Sequence, residues 1–475
     1  MTGSVFTSVI NAKHRGATRP TPPPTGTPPR IPGRYVFAWY MTYISDYNPN
    51  NGSTGIGDVS TINAYKHDIA DAQAHGIDGF IMFCYDAQFN YNNYLNMFTA
   101  AEQVYAADTT KPRFWLFFSP QIEQQGDVNA AGPGTGQNWI YYFLANSVLR
   151  PNYFYYNGKA VLCPFTGVLS QQQTDLTNLV FNPLQSNLGV GIFYTPSIQD
   201  PSPILASGTT MTTWGQQWIG SINWWAGSNP STDVYYSNYF KSINDANGKP
   251  TVLDISGGPY WSMNNPNGYL YEEHYGGEGK NTNWNNAMSW ATAPAFVLVT
   301  VWNDFTESYF SPITDLTNYD NQYQEKQLWK THVGYAEFNK YYFQWYTTGV
   351  RPVITKDALF YFYRTSAKNL NLYAPNGSAV SFVSDDGTFP DDIFIATRLT
   401  APATLQVTTG GQVNSYNLTP DVNGLNFTRT PQVVGAQQFA LIRGGVTIVS
   451  ATGENVVGSV STTDLFQTSG FAYSA

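Results

Sequence analysis

Eight short apolar runs recur along the chain, at 34–40, 77–85, 112–119, 160–165, 189–195, 218–225, 250–256 and 296–302. Most are separated by a stretch with helical spacing. Segment 58–75 is the clearest. Ser60 reads as an N-cap, Ile62, Tyr65, Ile69, Ala70, Ala72 and Ala74 keep roughly helical spacing, and Gly76 stops the helix. Segments 94–107, 138–149, 171–184 and 232–246 read alike. Strands alternating with helices form βαβ units around a parallel sheet. Eight units predict an α/β fold, a (β/α)8 TIM-type barrel with chemistry at the C-terminal strand ends. The competing doubly wound sheet calls for a Gly-rich phosphate loop after the first strand, and none follows it.

The chain has 475 residues, more than the roughly 250–300 that one core supports. A helix over 324–346, stopped by Thr347, Thr348 and Gly349, closes the barrel. Short alternating runs at 359–364, 392–399, 404–408 and 445–450 then predict a C-terminal β-sandwich. The expected domains are an N-terminal anchor segment with a Pro/Thr-rich linker at 1–33, the catalytic barrel at 34–350, and an accessory sandwich at 351–475. Pro20 to Pro32 should be extended and semi-rigid. Residues 1–20 lack the apolar core of a secretory signal, and no stretch suits membrane insertion.

Aromatic residues make up 16% and charged residues only 12%. That pairing suits a cleft of flat rings and neutral hydrogen-bonding groups, although an ordinary aromatic core reads the same way. The net charge of −9 excludes nucleic acid and anionic lipid as partners. Cys84 and Cys163 lie in apolar runs and read as buried free thiols. His14, His67, His75, His274 and His332 are scattered without metal-ligand spacing, so no metal and no cofactor is expected.

The eighth run stops at Trp302-Asn303-Asp304, with Glu307 three residues on. Cleaving a glycosidic bond takes one carboxyl to protonate the leaving oxygen and a second to act as base or nucleophile. Their separation decides between inversion and retention. Asp304 and Glu307 are therefore the catalytic candidates. In a continuing strand they would point to opposite faces, whereas a helical turn or a bend after Asn303 would aim both at one cleft. A capping or solvated Asp-x-x-Glu is the plain alternative. Other strand ends supply the substrate-binding candidates: Trp39, Tyr40, Asp86, Gln121, Trp224, Trp225, Trp261, Trp302, Asn303 and Tyr309. Asp78, opening the second strand, faces the barrel bottom and reads as structural.

These motifs resemble the family-71 glycoside hydrolases, the α-1,3-glucanases or mutanases. The family's Val-Phe-Ala-x-Tyr-Met is matched by Val36-Phe37-Ala38-Trp39-Tyr40-Met41, and its Gly-Ile-Asp-(Gly/Ala)-Phe by Gly76-Ile77-Asp78-Gly79-Phe80. Its Thr-Trp-Asn-Asp-Tyr-Gly-Glu-Ser-His corresponds to Val301-Trp302-Asn303-Asp304-Phe305-Thr306-Glu307-Ser308-Tyr309. The resemblance implies an endo-acting, inverting α-1,3-glucanase with Asp304 and Glu307 as its catalytic pair, Glu307 favoured as acid and Asp304 as base. Thr306 and Tyr309 depart from the motif, so the reaction class follows more firmly than the linkage. The mannan-active family 99, which also has an acidic pair three apart, is a more distant likeness. A glycan-binding adhesion or structural module on a degenerate barrel is the rival reading. The family acts outside the cell, on polysaccharide. With no signal at the start, one arrangement that fits is a virion component with residues 1–19 docking to a larger assembly, and an intracellular protein is the plain alternative.

Overall fold

A computed structural model describes residues 28–42, 44–48, 53–58, 62–85, 90–122, 125–134, 136–166, 170–198, 223–224, 230–258, 260–262, 269–272, 275–304, 308–312, 331–366, 380–383, 391–421, 425–456, 458 and 467–475. Eight stations of parallel strand follow the eight runs. These are β1 (Val36–Met41), β2 (Gly79–Cys84), β3 (Trp115–Ile122), β4 (Lys159–Leu162, resuming at Phe165–Thr166), β5 (Ile192–Tyr194, resuming at Ser197–Ile198), β6 (Asn223–Trp224), β7 (Leu253–Ser256) and β8 (Val297–Thr300). Their order in the sheet is β6-β5-β4-β3-β2-β1-β8-β7, so the last run pairs with the first.

Helices follow the strands: α1 (Ile62–Ala74), α2 (Tyr91–Ala107), α3 (Trp139–Ala145), α4 (Ser170–Leu176, continuing through a π-turn to Leu188), α5 (Pro230–Ala246), α6 (Gly277–Met288) and α7 (Val333–Thr348). Asn138 caps α3, its side chain accepting from the backbone N–H groups of Ile140 and Tyr141. Gly349 ends α7 at φ 71°, where a side chain would be strained. The described part of the predicted closing helix is Val333–Thr348, and 313–330, where its start is expected, lie outside the described residues.

The sheet curls. β5 and β8 stand five strand steps apart, roughly 24 Å across a flat sheet. Yet the ring of Phe193 on β5 lies 6.2 Å from that of Phe296 at the start of β8. Phe296 also meets Phe37 of β1 at 5.7 Å and Phe117 of β3 at 6.1 Å. Side chains from strands this far apart meet only inside a curved sheet, where they form a packed aromatic layer. Both cysteines are buried thiols rather than disulfide partners, as their apolar runs predict.

Asp78 has the structural role expected of it. Its carboxylate accepts from the backbone N–H of Val36 at 2.8 Å and from both terminal nitrogens of Arg30 at 2.6 and 2.5 Å. One feature was not legible in the spacing: an antiparallel hairpin, Ile44–Asn48 with Ser53–Asp58, stands between β1 and α1.

After α7 the chain forms two antiparallel four-stranded sheets. One joins β9 (Ala358–Arg364), β10 (Asp392–Arg398), β13 (Asn426–Pro431) and β16 (Gln467–Tyr473). The other joins β11 (Ala403–Thr409), β12 (Gln412–Leu418), β14 (Gly435–Arg443) and β15 (Val446–Val456). They pack face to face through Leu359, Tyr361, Ile395, Leu405, Val407, Phe439 and Leu441, with Tyr361 stacked on Phe439 at 4.6 Å. Every residue of β9 is buried because its other face, Phe360 and Phe362, packs on Phe338 of α7.

Candidate active site

β8 ends as a ladder strand at Thr300, and the backbone then turns into a hairpin. Asn303–Asp304 pairs antiparallel with Ser308–Tyr309, Asn303 opposite Tyr309 and Asp304 opposite Ser308. The chain therefore reverses direction at the strand tip between Asp304 and Ser308. Residues 305–307, Glu307 among them, lie outside the described residues.

The root of this hairpin is fixed to β1. The side-chain Oδ1 of Asn303 accepts from Met41 N–H at 2.7 Å, and its Nδ2 donates to Met41 O at 3.0 Å. One residue earlier, Trp302 N–H donates to Trp39 O at 2.8 Å. Asp304 extends from this seam at the C-terminal face and is 9% exposed.

Below Asp304 lies a carboxyl that the sequence reading passed over. Asp254 of β7 accepts from Trp39 Nε1 at 2.8 Å on one oxygen and from Thr300 Oγ1 at 2.7 Å on the other. It is almost wholly buried. Burial pushes its carboxyl up to about 8, against the opposing pull of Thr300, Trp39 and the Ile255 backbone. The available signal was an acid inside the apolar run Val252-Leu253-Asp254-Ile255, where an unpartnered charge would be very costly. Two residues on, Ser256 Oγ accepts from the buried Nζ of Lys280 at 2.8 Å, and the same Nζ donates to Gly258 O at 2.7 Å.

The candidate residues divide by face. Trp39 turns inward, its ring 6.3 Å from Phe83 and 6.0 Å from Phe165, and at 2% exposure its indole shapes the floor of the mouth. Gln121 is half-buried at the end of β3, opposite Phe165 of β4. Tyr40 and Trp302 are corrected as sugar platforms, because both rings are fully buried against the helix layer. Tyr40 stacks on Phe80 at 4.5 Å and bonds Asp68 of α1 through its hydroxyl. Trp302 packs on Phe80 and Phe310 and lies 6.5 Å from the His75 ring. Asn303 is likewise fully buried and acts as the clamp described above. Trp224 lies on β6 and Tyr309 on the hairpin. Trp261 lies on a short strand, Tyr260–Ser262, paired with Tyr269–Glu272, which in turn pairs with Val380–Val383. Asp86 and Trp225 lie outside the described residues.

Residues 33–468 match the model of Glycosyl hydrolase family 71. A glucan endo-1,3-alpha-glucosidase of Schizosaccharomyces pombe is 26% identical over 419 residues, covering 84% of this chain and 88% of that protein. A mutanase of Penicillium rubens is 26% identical over 441 residues, covering 88% and 84% respectively. Among solved structures, a GH99 endo-alpha-mannosidase from Bacteroides thetaiotaomicron is similar at 10% identity and a TM-score of 0.42, over 66% of this chain and 97% of that one.

Proposed function

From the premise that the chain belongs to glycosyl hydrolase family 71 and is a glycoside hydrolase, we propose that it cleaves α-1,3-glucan internally, using Asp304 and Glu307. The observation that carries this reading is the hairpin at the tip of β8. Asp304 stands at the C-terminal face of the parallel sheet, and Ser308, the chain neighbour of Glu307, pairs with it. The names of the two relatives supply the glucan.

In this mechanism Glu307 gives its proton to the leaving glycosidic oxygen while Asp304 takes a proton from water. The water oxygen bonds to the anomeric carbon from the opposite face as the carbon–oxygen bond breaks, inverting the centre. The floor beneath Asp304, made by Trp39, Asp254 and Thr300, keeps water away from its lower side. Gln121 at the end of β3 and Trp224, Trp225 and Trp261 at or after the later strands are the proposed sugar contacts. We read the curled sheet as a closed (β/α)8 barrel over 34–350 and the paired antiparallel sheets over 351–475 as a sandwich that braces it, with 1–33 as a tether.

Incubation with insoluble α-1,3-glucan, in parallel with mannan and β-linked glucans, tests the substrate. New reducing ends and a ladder of oligosaccharides from α-1,3-glucan alone are expected. Release from mannan but not from α-1,3-glucan would move the specificity elsewhere.

A further inference from the structure

We propose that Asp254 is a positioning residue for hydrolysis, tying β1 and β8 together below Asp304 so that this carboxylate is held in its working place. The tie is specific. One carboxyl spans two other strands, with Trp39 on β1 and Thr300 on β8 each hydrogen-bonded to a different oxygen. The same two strands are joined one level higher by Trp302 N–H to Trp39 O, and again by Asn303 to Met41. Asp304 follows directly in the chain. Trp39 therefore takes part in two of the three links, and Asp254 fixes its indole from below.

Asp254 is also suited to act as a neutral group. Trp39 and Thr300 are uncharged. On the helix side of the strand, Asp233 of α5 and Asn283 and Asn286 of α6 stand against Leu253 to Ile255. Lys280 of α6 reaches Ser256. Burial is the largest influence on the carboxyl, which stays protonated until about pH 8. Ionisation there places a charge in an almost dry site, and the surroundings must open to hydrate it. The tie should therefore loosen on the alkaline side and carry Asp304 with it. Asp254 is itself too buried to touch the glycan.

The role rests on the acid–base reading of Asp304, and the test separates the two. Initial rates on a soluble α-1,3-glucan oligosaccharide are measured from pH 5 to 9.5 for the wild type, Asp254→Leu, Asp254→Asn and Asp304→Asn. Expected are at least about a tenfold loss of kcat with KM nearly unchanged in Asp254→Leu, and partial rescue in Asp254→Asn. Both proteins should lose rate on the alkaline side as the general acid Glu307 deprotonates, and the wild type should lose more than Asp254→Asn as pH rises through about 8. A folded Asp254→Leu with wild-type kcat overturns the proposal, as does an Asp254→Asn whose rate relative to the wild type stays constant from pH 7 to 9.5. The Asn variant decides the matter even if the Leu variant does not fold. Full activity in Asp304→Asn sinks the acid–base reading instead, whatever the Asp254 variants do.

Discussion

Asn303 closes both backbone hydrogen bonds of Met41 with one side-chain amide, accepting from N–H at 2.7 Å and donating to C=O at 3.0 Å. It stands in for the next rung of the ladder where β8 stops being a strand. A primary amide suits this position because it offers an acceptor and a donor side by side. Asn303→Ala leaves a buried N–H and a buried C=O without partners, a cost of about 2–4 kcal/mol. Urea unfolding should show that loss. Because Asp304 is the next residue, kcat should fall by at least about tenfold as well. Asn303→Asp keeps the acceptor only, and should recover neither stability nor rate. Wild-type behaviour in both variants would show that the clamp is dispensable.

The carboxylates are tested by replacements that keep shape. Asp304→Asn and Glu307→Gln should each lower kcat by roughly two to four orders of magnitude, with unfolding midpoints close to wild type. Proton NMR of the first product should show the β-anomer ahead of mutarotation, as inversion at an α-linkage requires. An α-anomer appearing first would instead assign a covalent intermediate and a closer carboxyl pair.

The repeat of apolar runs made the parallel sheet legible, because a strand buried on both faces has to be apolar along its length. The two antiparallel sheets were equally readable: the runs at 359–364, 392–399 and 404–408 fall on β9, β10 and β11. Which carboxylates matter at the tip of β8 could be proposed from Asp304 and Glu307 alone. What the residues beside them do could not. Trp302 and Tyr40 look like platforms in sequence, but their direction depends on which side of the sheet each residue takes. Asn303 finds its partner 262 positions away. Asp254 goes unnoticed for the same reason, because the Trp39 indole that makes its burial tolerable is 215 positions distant. Local patterns set the elements, while contacts between distant strands set the site.

Asp78 offers a control at the opposite end of the sheet. Its carboxylate holds Val36 N–H at the start of β1 and Arg30 outside it. Burial raises the carboxyl against the pull of Arg30 and Val36. The Arg30 side chain is 44% exposed, so the ion pair is partly screened and most of the loss comes from stranding the Val36 amide. Asp78→Ala should cost roughly 1–3 kcal/mol in urea unfolding. It should leave kcat unchanged, since the site is at the other end of the strands. A large loss of kcat with no loss of stability would contradict this division between the two ends.

Glu337 couples α7 to α1 and to the last strand, and it should set part of the acid stability. Its carboxylate lies 3.4 Å from His75 Nε2 and 3.1 Å from Lys340 Nζ, and it accepts from the Tyr473 hydroxyl at 3.2 Å. Burial alone would raise it, but the His75 hydrogen bond and the Lys340 charge outweigh burial and bring it from 4.5 down to about 2. A carboxyl depressed in the folded state contributes stability above its unfolded value and loses it as pH falls through the folded one. The contribution should therefore be complete above pH 4.5 and vanish towards pH 2. The shift corresponds to on the order of 3 kcal/mol. Glu337→Gln should lower the urea midpoint at pH 6 and flatten its decline between pH 4.5 and 2, so that the two proteins converge in acid. Parallel wild-type and variant curves across that window would mean that Glu337 titrates no differently in the folded and unfolded chains.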